Sequence, residues 1–124
     1  MTLKHVIVER MKPGMADRLE DLAMELRALM TERGWIQYKA WRWSADVDQG
    51  DPPLFDVGIF NRATPGEGLA VFEGDYPDRE TFERQLEQMR NDPAVVKILV
   101  KALELADRTA SRSYVLESWE PDPR

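Results

Sequence analysis

The chain contains no cysteine. That excludes disulfides, thiolate nucleophiles and thiolate metal sites, and it fits a reducing compartment. It contains one histidine, His5, so a mononuclear zinc or iron site would need several carboxylates to converge. Asp46, Asp48 and Asp51 form the nearest acidic group. Gly50 stands where a calcium loop needs a ligand, and no glutamate follows at the required spacing, so we expect a solvated acidic loop and no metal. There is no Gly-x-Ser-x-Gly element, and nothing in the spacing supports a triad from His5 and Ser111 or Ser113. Gly66 and Gly68 are turn residues without the following helix that a phosphate-cradling loop requires.

Long apolar runs are absent too, so no segment is expected to cross a bilayer. The opening MTLKHVIVERMKPGM lacks the apolar region and small-residue cleavage site of a signal peptide, and we expect a cytoplasmic protein. Positive charge is in deficit: 17 Lys and Arg stand against 23 Asp and Glu, for a net charge of −6. With no basic cluster to offset this, binding to nucleic acid or to an anionic membrane is disfavoured.

What is present suits one domain. The 124 residues and 43% hydrophobic content allow a real core. We place the domain at residues 1–120, with 121–124 as a proline-containing tail. Residues 3–10 alternate and are rich in β-branched side chains, so they read as a strand. One face of that strand holds Leu3, His5, Ile7 and Glu9, and the other Lys4, Val6, Val8 and Arg10. Lys12-Pro13-Gly14 breaks it. Met15, Leu19, Leu22, Leu26 and Leu29 then recur at helical spacing within residues 14–33, and Gly34 is placed to end that helix. Short strands are expected at 54–60 and 69–76, helices from 78 to 90 and onward from Pro93, and a last strand over 111–119. Asp78 and Asp92 sit where helix caps belong. The third helix is apolar almost all round, which points to burial on more than one side and to a partner subunit.

The segment WIQYKAWRW, residues 35–43, carries three of the four tryptophans. As a strand it puts Trp35, Gln37, Lys39, Trp41 and Trp43 on one face, and Ile36, Tyr38, Ala40 and Arg42 on the other. Indoles offer a flat apolar wall with one donor, suited to a planar ligand or to an interface.

The order strand, helix, strands, two helices, strand implies a two-layer α+β sandwich with an antiparallel sheet and helices on one face. Lys12-Pro13-Gly14, the Trp- and Tyr-rich second strand, YPDRETFERQLEQMRNDP (76–93) and a final strand ending Glu117-Ser118-Trp119-Glu120 together resemble the dimeric α+β-barrel superfamily. That superfamily includes antibiotic-biosynthesis monooxygenases, NIPSNAP-like proteins and haem-degrading monooxygenases. The resemblance implies a ferredoxin-like fold whose two copies close a barrel, sheet to sheet, with a pocket between sheet and helices. It implies a homodimer that binds a small, largely apolar molecule, with cofactor-independent oxygenation or isomerisation as its chemistry. A non-catalytic, ligand-sensing dimer is the alternative. No cofactor is expected. The haem-degrading branch relies on a first-strand asparagine, whereas Asn61 and Asn91 are the only asparagines here.

Within that frame His5, Arg112 and Tyr114 are the catalytic candidates, and Trp35, Tyr38, Lys39, Trp41, Arg42 and Trp43 the ligand-binding ones. His5 titrates nearest neutral pH, and Lys39, Arg42 or Arg112 could hold a substrate anion. The competing readings are a packed histidine with one satisfied hydrogen bond, and tryptophans that fill the core and the dimer interface. We expect the Trp face to meet the partner.

Overall fold

In the computed structural model the described residues are 2–42, 68–107 and 111–119. The acidic group Asp46, Asp48 and Asp51, the strand expected at 54–60, and Trp43 lie outside them. The elements run β1 (Leu3–Arg10), α1 (Ala16–Arg33), β2 (Tyr38–Arg42), β3 (Leu69–Tyr76), α2 (Arg79–Arg90), α3 (Pro93–Leu105) and β4 (Arg112–Glu117). The four strands form one antiparallel sheet in the order β2-β3-β1-β4. Two interleaved crossovers give this ferredoxin-like order, and the α+β sandwich expected from the sequence is the fold observed.

Local chemistry explains the boundaries. Gly14 takes φ 78, and the Met15 amide bonds to the Lys12 carbonyl at 3.1 Å, so the turn consumes residues 12–15 and α1 begins at Ala16. Gly34 takes φ 70 at the other end. Its amide bonds to the Thr31 carbonyl and that of Trp35 to the Met30 carbonyl, a Schellman closure that only a left-handed residue allows cheaply. The Asp78 carboxylate accepts the Thr81 amide at 2.7 Å and opens α2. Asp92 accepts the Ala94 amide at 3.0 Å, with Pro93 in the first turn, and opens α3. The Arg33 guanidinium also reaches Asp92 at 2.9 Å, tying the end of α1 to the start of α3, and chiefly this contact lowers the Asp92 pKa.

The tryptophan strand differs from its sequence reading. It begins at Tyr38, not Trp35. The Trp35 amide is spent on the helix closure, and the Gln85 side chain grips Ile36 on both its amide (2.7 Å) and its carbonyl (3.0 Å). A residue bonded to a helix side chain on both backbone groups has none left for a strand ladder. Trp35 therefore lies off the sheet, its indole donating to Gln88 of α2 at 2.9 Å.

Register separates the two faces of the sheet. His5 opposes Gly74 and Val115, Gly74 opposes Tyr38, and Phe72 opposes both Ile7 and Ala40. These residues face the helices, as the edge-on contacts of His5 and Tyr76 with Phe82 of α2 show. Lys39, Trp41, Glu73, Val6 and Tyr114 lie on the open face. There Trp41 is 56% exposed and Leu116 50%. The core gathers Met11, Leu19 and Ala106 with Phe72, Ala102 and Leu105 packed against them. Of the apolar third helix, Val95 and Ile98 are buried, whereas Val96, Leu99, Val100 and Leu103 are exposed.

Candidate functional site

Between the helix-facing side of the sheet and the three helices lies a cavity of about 550 Å³. β1 lends it His5, Ile7 and Glu9, β2 lends Tyr38 and Ala40, and β3 lends Phe72. Leucines and Met30 of α1, Leu86 and Met89 of α2, and Ile98, Leu99 and Leu103 of α3 complete a mainly apolar wall. The volume is that of a small-molecule site, and the combination of apolar walls with a few polar groups is the usual form of one.

Those polar groups at one end form a chain. The Gln85 amide donates to the Tyr76 hydroxyl at 3.1 Å, Tyr76 and Tyr38 share a hydrogen bond of 2.6 Å, Tyr38 meets His5 Nδ1 at 2.7 Å, and His5 Nε2 meets the Ser113 hydroxyl at 2.9 Å. Donor counting gives it a direction. Gln85 Oε1 accepts the Ile36 amide, so its nitrogen is the atom facing Tyr76. Tyr76 therefore donates to Tyr38, Tyr38 donates to Nδ1, and Nε2–H donates to Ser113. This assignment leaves every hydroxyl proton in the chain's interior with an acceptor and makes His5 a neutral imidazole with its proton on Nε2.

Electrostatics agree. Burial lowers the His5 pKa from 6.5, because the charged ring would lose water. Burial first, then the hydrogen bond to Tyr76, raises that of Tyr38. Tyr76 is raised chiefly by burial. At neutral pH the chain is uncharged.

A glycine makes this geometry available. A Cβ on Gly74 would lie 2.6 Å from Cε1 and Cζ of Tyr38. The Tyr38 ring thus lies across the bare backbone of β3 to reach His5 on the strand beyond it. Glu9, four positions along β1 from His5 on the same face, is a further polar residue of the wall, as are Arg27, Gln37 and Arg90 of the lining. Burial pushes its carboxyl up from 4.5.

Of the residues singled out in the sequence, His5 and Tyr38 come together at the cavity. Arg42 shares the face of Tyr38 but turns outward, 80% exposed by side chain and paired with Glu20 at 3.0 Å. Lys39, Trp41, Arg112 and Tyr114 lie on the opposite, open face. The Arg112 guanidinium bonds to the Ser111 carbonyl at 2.8 Å. Trp35 stands at α2, and Trp43 is outside the described residues. Sequence reasoning missed Tyr76, Gln85 and Glu9. Gln85 had a signal, an amide between Phe82 and Leu86 on the inward stripe of α2. Glu9 had one also, since it shares the face of His5. Among the described residues no group of three or more His, Asp or Glu stands within reach of a common metal ion, and no helix is long and apolar enough to cross a membrane.

Comparison with solved structures places this architecture. Over 99% of this chain and 98% of the other, it superposes on a NIPSNAP family protein of Agrobacterium tumefaciens with a TM-score of 0.66 at 10% identity. A variant of SnoaB, a cofactor-independent oxygenase of Streptomyces nogalater, matches with a TM-score of 0.64 at 12% identity over 99% and 98%. The chain has the fold of the monooxygenase-like and NIPSNAP-like α+β-barrel proteins. An antibiotic biosynthesis monooxygenase adds a TM-score of 0.60 at 18% identity, covering 95% of this chain and 99% of that one. At these identities the likeness to the superfamily is one of fold, and function must be argued from the site. No family model and no curated protein matches the sequence.

Proposed function

We propose that this chain forms a cytoplasmic homodimer whose helix-side cavity binds a flat, largely apolar organic molecule with an acidic hydroxyl, and oxygenates it without a cofactor. The observation that carries the reading is the directed chain ending at His5, opened onto an apolar cavity. Tyr38 accepts from Tyr76 and donates to His5, which leaves one lone pair on its oxygen. A substrate hydroxyl donating there would pass its proton to Tyr38 as Tyr38 passes its own to Nδ1. The product is an imidazolium and a substrate anion, the arrangement general-base catalysis needs. Such an anion gives electrons to dioxygen directly: a ring CH₂ and O₂ become a carbonyl and water. That the SnoaB neighbour is a cofactor-independent oxygenase supports this chemistry at the level of fold.

Replacing His5 with alanine removes the proton acceptor, and Tyr38→Phe removes the hydroxyl that reaches it. Each is expected to lower kcat for oxygen consumption with tricyclic phenols by about 10²–10⁴, with far less change in KM. Unaltered turnover in both variants would overturn the role of His5 and Tyr38 as the base, and no oxygen consumption by wild type would leave a non-catalytic ligand-binding protein as the account.

The open face suits self-association. It carries Trp41, Tyr114 and Leu116 beside the charged group of Lys4, Glu73 and Asp75. Exposed apolar and aromatic side chains on a sheet face ask for a second layer. Lys39, Trp41, Arg112 and Tyr114 then belong to the interface and not to the ligand. Sedimentation at micromolar concentration should give a dimer, and Trp41→Glu a monomer. A wild-type monomer there would contradict the shared barrel.

A further inference from the structure

The cavity has a second polar end that the His5 chain does not use. On β1, Glu9 follows His5 and Ile7 along the helix-facing side, so its Cα lies about 13 Å from that of His5, at about 3.3 Å per residue. The two groups differ in one decisive respect. Both ring nitrogens of His5 are engaged within the protein, whereas among the described residues no side chain or backbone group bonds to the Glu9 carboxyl. Its neighbours explain why. Along the sheet it opposes Ala70, and Arg42 beyond Ala70 is already taken by Glu20 of α1. Leu19 of α1 and Ala102 of α3 also line the cavity and offer no donor. Glu9 is half-buried, and its carboxyl, unbonded by the protein, keeps access to solvent through the open cavity, so a bound molecule that displaces that water must supply a donor in its place or leave the acceptor unsatisfied.

We infer that Glu9 is a ligand-binding residue that accepts a hydrogen bond from a second donor group at the far end of the bound molecule. The ligand class is thereby narrowed to an elongated aromatic body with a hydroxyl at each end. One hydroxyl meets Tyr38 and His5, and the other meets Glu9. This rests on the cavity being the ligand site, and it adds a length and a second polar terminus to what that site selects.

The test uses two probes of nearly equal size and apolar area, 2-hydroxyanthraquinone and 2,6-dihydroxyanthraquinone, with Kd read from absorbance at pH 7. Wild type should bind the dihydroxy probe at least about tenfold more tightly, the scale of one charge-assisted hydrogen bond. Glu9→Leu should abolish that preference while leaving the Kd of the monohydroxy probe within about twofold. Glu9→Gln, which keeps a neutral acceptor, should fall between them. Tyr38→Phe should weaken both probes and leave their ratio unchanged. Equal binding of the two probes by wild type, or a preference that survives in Glu9→Leu, would overturn the assignment of Glu9 alone. Binding of neither probe would overturn it together with the cavity reading. Thermal denaturation supplies a readout independent of ligand. Glu9→Leu should be more stable than wild type at pH 7, and the difference should shrink as pH falls through the raised Glu9 pKa, because the protonated carboxyl is the form that burial tolerates. A less stable Glu9→Leu at pH 7 would show that the carboxyl has a structural partner and would overturn the inference.

Discussion

Tyr76→Ala is expected to lose about 3–5 kcal/mol of folding stability, the range for truncating a large buried aromatic side chain. Tyr76 is fully buried, with 0% of its surface exposed. It stacks edge-on against Phe82 at a centroid distance of 5.0 Å, and it holds the Gln85 amide and the Tyr38 hydroxyl together. The substitution therefore opens a cavity under α2 and leaves both partners a hydrogen bond short. Tyr76→Phe separates the two contributions. It keeps the ring and removes only the hydroxyl, and should cost about 1–3 kcal/mol for the unsatisfied groups. Urea denaturation of the two variants measures both. Equal losses would mean that the packing of the ring contributes nothing beyond its hydroxyl.

The second large effect is at Gly74. Adding one methyl group there places it 2.6 Å from two Tyr38 ring atoms, so ring or strand must move. Overpacking of this kind costs about 1–3 kcal/mol. Tyr38→Phe does not relieve it, because the ring stays. Tyr38→Ala does, so Gly74→Ala and Tyr38→Ala should be strongly non-additive, with the double variant losing well under the sum of the two single losses. Additive losses would show that Gly74 is required for its own backbone and not for the passage of Tyr38. In Gly74→Ala the displaced hydroxyl also leaves Nδ1, so turnover should fall with the stability.

Much of this arrangement could be read from residue order alone. The alternation in β1 assigned His5 and Glu9 to one face, and the leucine spacing of α1 gave its inward stripe. Gly34, Asp78 and Asp92 marked helix ends because each acts on backbone groups within a few residues. What could not be read was set by contacts distant in sequence. Trp35 left the strand because Gln85 holds Ile36, 49 residues away. The hydrogen-bonded chain unites β1, β2, β3, β4 and α2, and the His5–Ser113 contact alone spans 108 residues. Aromatic enrichment drew attention to Trp41, but indoles serve interfaces as readily as pockets, and only the strand register places it on the open face. Periodicity showed where Glu9 points. It could not show that Arg42 is engaged by Glu20, which leaves the carboxyl free for a ligand.

The central claim is that ligand enters the cavity beside a neutral His5 whose Nδ1 accepts from Tyr38. As the chain's single histidine, His5 gives an unambiguous imidazole spectrum. ¹⁵N NMR of the histidine-labelled protein, with and without 2-hydroxyanthraquinone, reads both nitrogens directly. The account predicts a protonated Nε2 and a bare, hydrogen-bonded Nδ1 at pH 7, and titration below 6.5. It predicts a large change at Nδ1 when the hydroxylated probe binds and none with anthraquinone itself. A ring protonated at pH 7, or a spectrum unmoved by saturating probe, would contradict it.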